Sequence, residues 1–289
     1  MLRALALLLA ALPLAAQYPP VLPEAKEEVY KTVGETRLRL WIFSPEPAAN
    51  AQPRPAMVFF FGGGWSSGTP GQFAPHAKLL RARGMVAILA DYRVATRHQV
   101  KADACVRDAK SALRYVRANA RRLGIDPNRI AAGGGSAGGH LAAATAAVRG
   151  FEEPGEDLAV SSQPNALVLF NPVLVLGAVA GAELPQDPIR LDAKRFGVPP
   201  AELSPYHQLQ RNGPPTLIFH GEADTTVPIT SIELYRERAV SLGIACELVR
   251  YPGQTHGFFN YGRGNNEFFE KTTARMVAFL DQLGYLAGA

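Results

Sequence analysis

Gly134-Gly135-Ser136-Ala137-Gly138 holds one serine between glycines at G-x-S-x-G spacing. An apolar run precedes it and an Ala-rich run follows, which puts Ser136 on a sharp strand-to-helix turn where bulky neighbours would clash. A hydroxyl presented there is a candidate nucleophile for acyl transfer. The competing reading is a plain Gly-rich turn, or a phosphate-binding turn at a helix N-terminus. The phosphate-loop pattern G-x-x-x-x-G-K-[ST] is not formed here.

A serine nucleophile needs a base, and the base needs an orienting acid. On a strand-turn-helix scaffold of this kind the chain order is serine, acid, histidine. Of six histidines, His76 and His98 precede Ser136, and His140 falls on the helix after it. His207 lies in a long irregular stretch, and His220 closes an apolar strand, where it shapes the turn. His256 remains, in the loop Tyr251-Pro252-Gly253-Gln254-Thr255-His256-Gly257-Phe258 just past the last strand. Asp224 follows the strand before it and is the expected acid. Glu222, two residues away, is its competitor, and a turn or helix-cap role is open to Asp224 itself.

Attack on an acyl carbon develops an oxyanion that needs aimed donors. The N–H of Ala137, directly after the nucleophile, is one expected donor. Phe61-Gly62-Gly63-Gly64-Trp65 follows another apolar strand, and its glycines let the backbone approach a substrate closely. The N–H groups of Gly63 and Gly64 are the other two expected donors. Trp65 either walls the acyl pocket or packs under the loop. No metal or organic cofactor is implied.

These residues need a scaffold. Residues 29–33 and 38–43 read as a hairpin around Gly34. Short apolar runs at 56–61 and 85–89 read as strands buried on both faces, and 129–132, 166–170, 216–219 and 247–251 read as further strands. Between them, residues 103–122 carry apolar positions every three or four residues and Gly124 beyond. Further helices are expected over 137–148, 229–242 and 267–283. Alternation of this kind implies an α/β fold, with a mostly parallel eight-stranded sheet and helices on both faces. Residues 177–212 are long, Pro-dotted and weakly helical over 201–209. Such an insertion either covers part of the site or lies passively on the surface.

The chain has 289 residues, with 47% hydrophobic and 19% charged, which excludes a disordered or fibrous protein. The net charge of +5 is scattered. Arg114, Arg117, Arg121 and Arg122 sit at helical spacing and read as a solvated helix face, not a nucleic-acid patch. Cys105 and Cys246 read as unpaired and buried. Residues 1–16 combine Arg3, an apolar run and a small-residue exit at Ala15-Ala16, the parts of a secretory signal peptide. Cleavage is expected after Ala16, leaving Gln17 first in a single catalytic domain over 17–289. The run is shorter than the ~20 residues of a membrane helix. A soluble protein, secreted or periplasmic and off the membrane, is expected.

Taken together, F-G-G-G-W, D-Y-R, G-I-D-P-N-R-I, G-G-G-S-A-G-G-H, H-G-E-A-D-T-T-V-P and H-G-F-F resemble the hormone-sensitive-lipase-like and carbohydrate-esterase branch of the α/β hydrolases. They cover most of residues 28–283. The resemblance implies the α/β-hydrolase fold without a large N-terminal cap, and a Ser136–His256–Asp224 triad acting on small esters or acylated carbohydrate. Compact relatives of this kind act on acetylated or feruloylated plant polysaccharides, so acetylxylan deacetylation is one expectation. Feruloyl or lipid-type ester hydrolysis, peptidase activity and a non-catalytic binding role are the alternatives. Phe61 stands where the group usually has a histidine that braces the glycine loop, so bracing here must be different.

Overall fold

The computed structural model describes residues 17–46, 52–182, 184 and 193–286. The expected signal peptide lies outside the described residues, as does part of the 177–212 insertion. The strands are β1 Lys26–Val33, β2 Thr36–Phe43, β3 Arg54–Phe60, β4 Val86–Ala90, β5 Ile125–Gly135, β6 Ala166–Phe170, β7 Thr216–Gly221 and β8 Cys246–Tyr251. The helices are α1 Ala74–Ala82, α2 Ala95–His98, α3 Ala102–Ala118, α4 Ala120–Leu123, α5 Ala137–Ala147, α6 Ala193–Phe196, α7 Pro205–Gln208, α8 Ile229–Ser241 and α9 Glu267–Gln282.

The eight strands form one sheet in the order β1-β2-β4-β3-β5-β6-β7-β8. The β1–β2 hairpin and the β2–β4 pair are antiparallel. From β4 onward every pair is parallel. Central strands are buried on both faces, so their side chains feed two cores. Ala56, Val58 and Phe60 of β3 join Leu113 of α3, Leu141 of α5 and Ile232 of α8 on one face. Met57 and Phe59 join Leu80 of α1 and Met276 of α9 on the other. Helices therefore cover both faces, and residues 17–25, ahead of β1, form no helix. This is the α/β-hydrolase fold.

Four sequence expectations change in detail. Helix α1 was not expected; its APHAKLLRA carries only a short buried stripe of Ala74, Ala77 and Leu80. The 103–122 helix breaks at Asn119, whose side chain donates to Tyr115 O (2.9 Å), and ends on Gly124 in the left-handed region (φ 67°). β5 is longer than expected, running through Pro127 with a register shift against β3. The arginine group is also no freely solvated face. Arg114 is buried and pairs with Glu152 and Glu156. Arg117 holds the carbonyls of Pro127, Ser161 and Gln163, and Arg122 pairs with Glu28. These cations stitch α3 and α4 to neighbouring segments.

Cys105 and Cys246 are both free, Cys105 buried with its thiol 3.1 Å from Arg93 O and Cys246 half-buried on β8. No helix of the described residues is long and apolar enough to cross a membrane. Among them no three His, Cys, Asp or Glu side chains are grouped to hold a metal ion.

Candidate active site

Ser136 stands between the last residue of β5 and the first of α5 with φ 54° and ψ −118°. A non-glycine residue held at positive φ is strained. The surroundings enforce it. Ser136 N donates to Phe170 O (2.9 Å), and Ser136 O accepts from His140 N (2.9 Å). The turn is so tight that a Cβ on Gly138 would lie 2.1 Å from Phe60 O, and one on Gly134 2.4 Å from the same atom. The glycines let β5 and α5 close against β3, and the serine is thrust outward as a result.

Asp224 follows β7 and is almost wholly buried. Its Oδ1 accepts from the N–H groups of Thr226 and Val227 (both 2.8 Å). Its Oδ2 accepts from His256 Nδ1 at 2.7 Å. Burial pushes the Asp224 carboxyl up, but His256, the Val227 N–H and His220 together outweigh it and hold it below the usual range. The carboxylate is thus both a turn cap and the orienting partner of the histidine. Glu222 is exposed and takes no part. His220, fully buried, bonds Val227 O through Nε2 (2.7 Å) and lies 3.6 Å from Asp224 Oδ2, shaping the turn.

His256 sits on the loop after β8. With Nδ1–H donated to Asp224, Nε2 is the unprotonated nitrogen that can accept a proton. Arg263 Nη1 donates to His256 O (2.8 Å), and Gly257 N donates to Asn171 Oδ1 (2.9 Å). Asn171 Nδ2 lies 3.5 Å from His256 Nε2. Among the described residues the Ser136 hydroxyl has no hydrogen-bond partner, yet Ser136, Asn171 and His256 line one cavity of about 510 Å³. Serine–histidine bonds of this type are commonly long before substrate arrives.

Gly63 and Gly64 line the same cavity. Gly63 has φ 120°, and a Cβ there would fall 2.3 Å from Ser67 O. Among the described residues the N–H groups of Gly63, Gly64 and Ala137 carry no hydrogen bond, whereas Gly62 N is committed to Gln72 Oε1 (2.7 Å). Ala137 heads α5 and is fully buried. The three expected donors are therefore without a protein acceptor among the described residues. The glycine loop lacks a histidine brace at Phe61, but Tyr92 Oη donates to Phe61 O (2.7 Å) and the two rings stack with centroids 4.1 Å apart.

Trp65 does not wall the cavity. It is 5% exposed and packs under the loop, edge-on to His140 and Phe196. Its indole N–H needs a buried acceptor, which His140 Nδ1 supplies at 3.1 Å. Burial pushes the His140 imidazole down to about 4, keeping it neutral so that one nitrogen accepts while Nε2–H bonds Leu203 O (2.8 Å). The described part of the insertion touches the loop from outside, through Phe196 on Trp65 and Arg195 Nη2 on Gly64 O (2.6 Å). No described residue of 177–212 lines the cavity.

Asn171, Gln72 and Asn260 were not singled out from sequence. Asn171 did carry a signal, because it directly follows the wholly apolar β6, and ligands bind beyond the carboxyl ends of such strands.

The arrangement pairs an oriented imidazole with a strained serine and free backbone donors, the parts required for acyl transfer. Similarity to known proteins agrees. The BD-FAE family matches residues 42–238, and the dienelactone hydrolase family matches residues 193–284. Carboxylesterase NlhH of Mycobacterium tuberculosis is 30% identical over 84% of this chain and 78% of its own. Esterase LipC of the same organism is 29% identical over 72% of this chain, which spans about half of LipC (54%). Esterase 2 of Thermogutta terrifontis superimposes with a TM-score of 0.89 at 49% identity, covering 94% of this chain and all of that one. That enzyme is also known with propionate bound, with butyrate bound, and phosphorylated by paraoxon.

The protein is an esterase of the α/β-hydrolase superfamily. Within it, the chain belongs to the BD-FAE family.

Proposed function

We propose that this chain is an exported serine carboxylesterase that hydrolyses short-acyl esters through an acyl-enzyme on Ser136, with acetylated plant polysaccharides such as xylan as its substrate class. The observation that carries the mechanism is the 2.7 Å Asp224–His256 bond, which leaves Nε2 unprotonated beside the cavity that Ser136 and His256 line, with Asn171 Nδ2 only at a long 3.5 Å. In this reading Nε2 takes the Ser136 proton as Oγ attacks the ester carbonyl. Asp224 stabilises the imidazolium, and the N–H groups of Gly63, Gly64 and Ala137 hold the oxyanion. His256 then protonates the leaving alcohol, and water, activated by the same nitrogen, releases the acid.

The short-acyl preference is supported by the propionate and butyrate complexes of the Thermogutta esterase. Export is supported by the composition of residues 1–16. A carbohydrate ester is the kind of substrate an exported enzyme meets. The test is a panel of p-nitrophenyl acetate, butyrate and octanoate alongside acetylated xylo-oligosaccharides and feruloyl esters. Turnover of acetate and butyrate well above octanoate, with acetate released from the oligosaccharides, is expected. Preference for octanoate would replace the carbohydrate reading with a lipid-type one, and preference for feruloyl esters would move the substrate class. Export predicts that the chain recovered from the medium or periplasm begins at Gln17; a chain retained in the cytoplasm with residues 1–16 intact would refute it.

A further inference from the structure

We propose that Gln72 and Asn260 form a strut across the cavity wall that fixes the oxyanion loop relative to the His256 loop, making both positioning residues for ester hydrolysis; this rests on the Ser136–His256–Asp224 reading. The two loops come from opposite halves of the chain. One leaves β3 as Gly62–Gly64, and the other leaves β8 as His256–Asn260. No strand pairing holds them in register, since β3 and β8 are separated in the sheet by β5, β6 and β7.

Side-chain amides close that gap. Gly62 N donates to Gln72 Oε1 (2.7 Å), and Gln72 Nε2 donates to Asn260 Oδ1 (2.9 Å). Asn260 Nδ2 donates to Gly257 O (2.9 Å), one residue past the base. From the other side Gly257 N donates to Asn171 Oδ1 (2.9 Å), and Asn171 N donates to Phe219 O within β7 (2.8 Å). Each amide has one orientation only: a flip of Gln72 would set its NH₂ against the Gly62 N–H, and a flip of Asn260 would set oxygen against Gly257 O.

The strut is placed to matter for catalysis. A Cβ on Gly62 would stand 3.5 Å from both Gln72 Oε1 and Ser136 Cβ, so the anchored peptide abuts the nucleophile. By taking the Gly62 N–H, Gln72 leaves those of Gly63 and Gly64, which line the cavity, as the uncommitted donors of the three glycines. Gln72 enters from a short 3₁₀ turn, Pro70–Phe73, whose own cap is the Thr69 hydroxyl. Both amides line the cavity and are only half-buried. They are not core-filling residues.

Positioning of this kind appears in kcat, because the donors need alignment most when the oxyanion forms. In the purified chain with p-nitrophenyl butyrate, Gln72→Ala and Asn260→Ala are each expected to lower kcat about tenfold or more, with KM within about threefold. The double variant is expected to fall no further than the worse single one, because the strut fails as a unit. Asn260→Asp keeps the acceptor for Gln72 but replaces the donor to Gly257 O with an oxygen, so only the His256 end of the strut is released and a loss in kcat is expected with the Gln72 end intact. Thermal unfolding measured on each variant separates misalignment from misfolding, and Asn260→Asp carries the test if either alanine variant does not fold. Single variants with kcat within twofold of the parent, or losses that multiply in the double variant, would overturn the strut. Ser136→Ala is assayed in parallel. If it is inactive while the strut variants are unaffected, the nucleophile assignment stands and the strut alone fails.

Discussion

In the proposed mechanism His256 acts as the base at Nε2, because Nδ1–H is committed to Asp224 at 2.7 Å. The carboxylate can hold that one tautomer because two backbone N–H groups already satisfy its other oxygen. Asp224→Asn disturbs the tautomer with little change in volume. It is expected to reduce kcat about 10³- to 10⁴-fold with KM little changed, measured with p-nitrophenyl butyrate on protein of unaltered circular dichroism. A variant retaining a tenth of the parent kcat would move the orienting role elsewhere. Ser136, Asp224 and His256 were legible in the sequence because each carries a local signature at a strand end. Gln72 and Asn260 were not, because each is an ordinary polar residue whose meaning comes from a partner 188 positions away. Trp65 was ambiguous for the same reason: only the structure brings His140 under its indole N–H.

At the scale of elements, the β5–α5 elbow is set by the space its glycines leave. A Cβ on Gly138 would meet the carbonyls of Phe60 and Phe61 at 2.1 and 2.4 Å, so β3 and α5 would have to move apart. Gly138→Ala is expected to cost roughly 2–4 kcal/mol of unfolding free energy by denaturant titration, and to lose esterase activity with it. An alanine variant of unchanged stability would show that the elbow has slack. Strands β3, β4, β6 and β7 were readable because each is built on a short apolar run between turn residues, and the β1–β2 hairpin because its two runs flank Gly34. Helix α1 was not, since only three of its buried residues are apolar, the fourth being His76, and its packing against β4 and β2 is long-range. The break at Asn119 was hidden too, because residues 103–122 keep a helical apolar period across it.

For the whole molecule, the two-sided core follows from the central strands β3, β4, β6 and β7 being buried at nearly every position, which forces helices onto both faces. What the pattern could not reveal is how the N-terminal segment closes on the sheet. Tyr18 Oη donates to Asp91 Oδ2 (2.8 Å), Arg97 lies 3.7 Å over the Tyr18 ring, and Gln17 O accepts from Thr69 at the cavity rim (2.9 Å). Asp91 is buried at this junction. Burial pushes its carboxyl up from 3.8 to about 7, against the pull of the Tyr18 hydroxyl, Arg97 and the Tyr92 N–H. The folded chain therefore holds a proton there that the unfolded chain releases, and stability from this site falls as pH rises from about 4 to 7. Asp91→Asn removes that slope. Between pH 5 and pH 7 the parent is expected to lose a few kcal/mol relative to the variant, read from denaturant unfolding at each pH. Parallel pH profiles for the two proteins would show that Asp91 ionises normally.

The central claim is that Ser136 is the residue acylated during turnover. Incubation with paraoxon, followed by intact-protein mass spectrometry and peptide mapping, tests it most directly. One diethylphosphoryl group per chain is predicted, located on Ser136, with esterase activity lost in step and no labelling of Ser136→Ala. Inactivation with the label on another residue, or undiminished ester turnover by Ser136→Ala, would contradict the account.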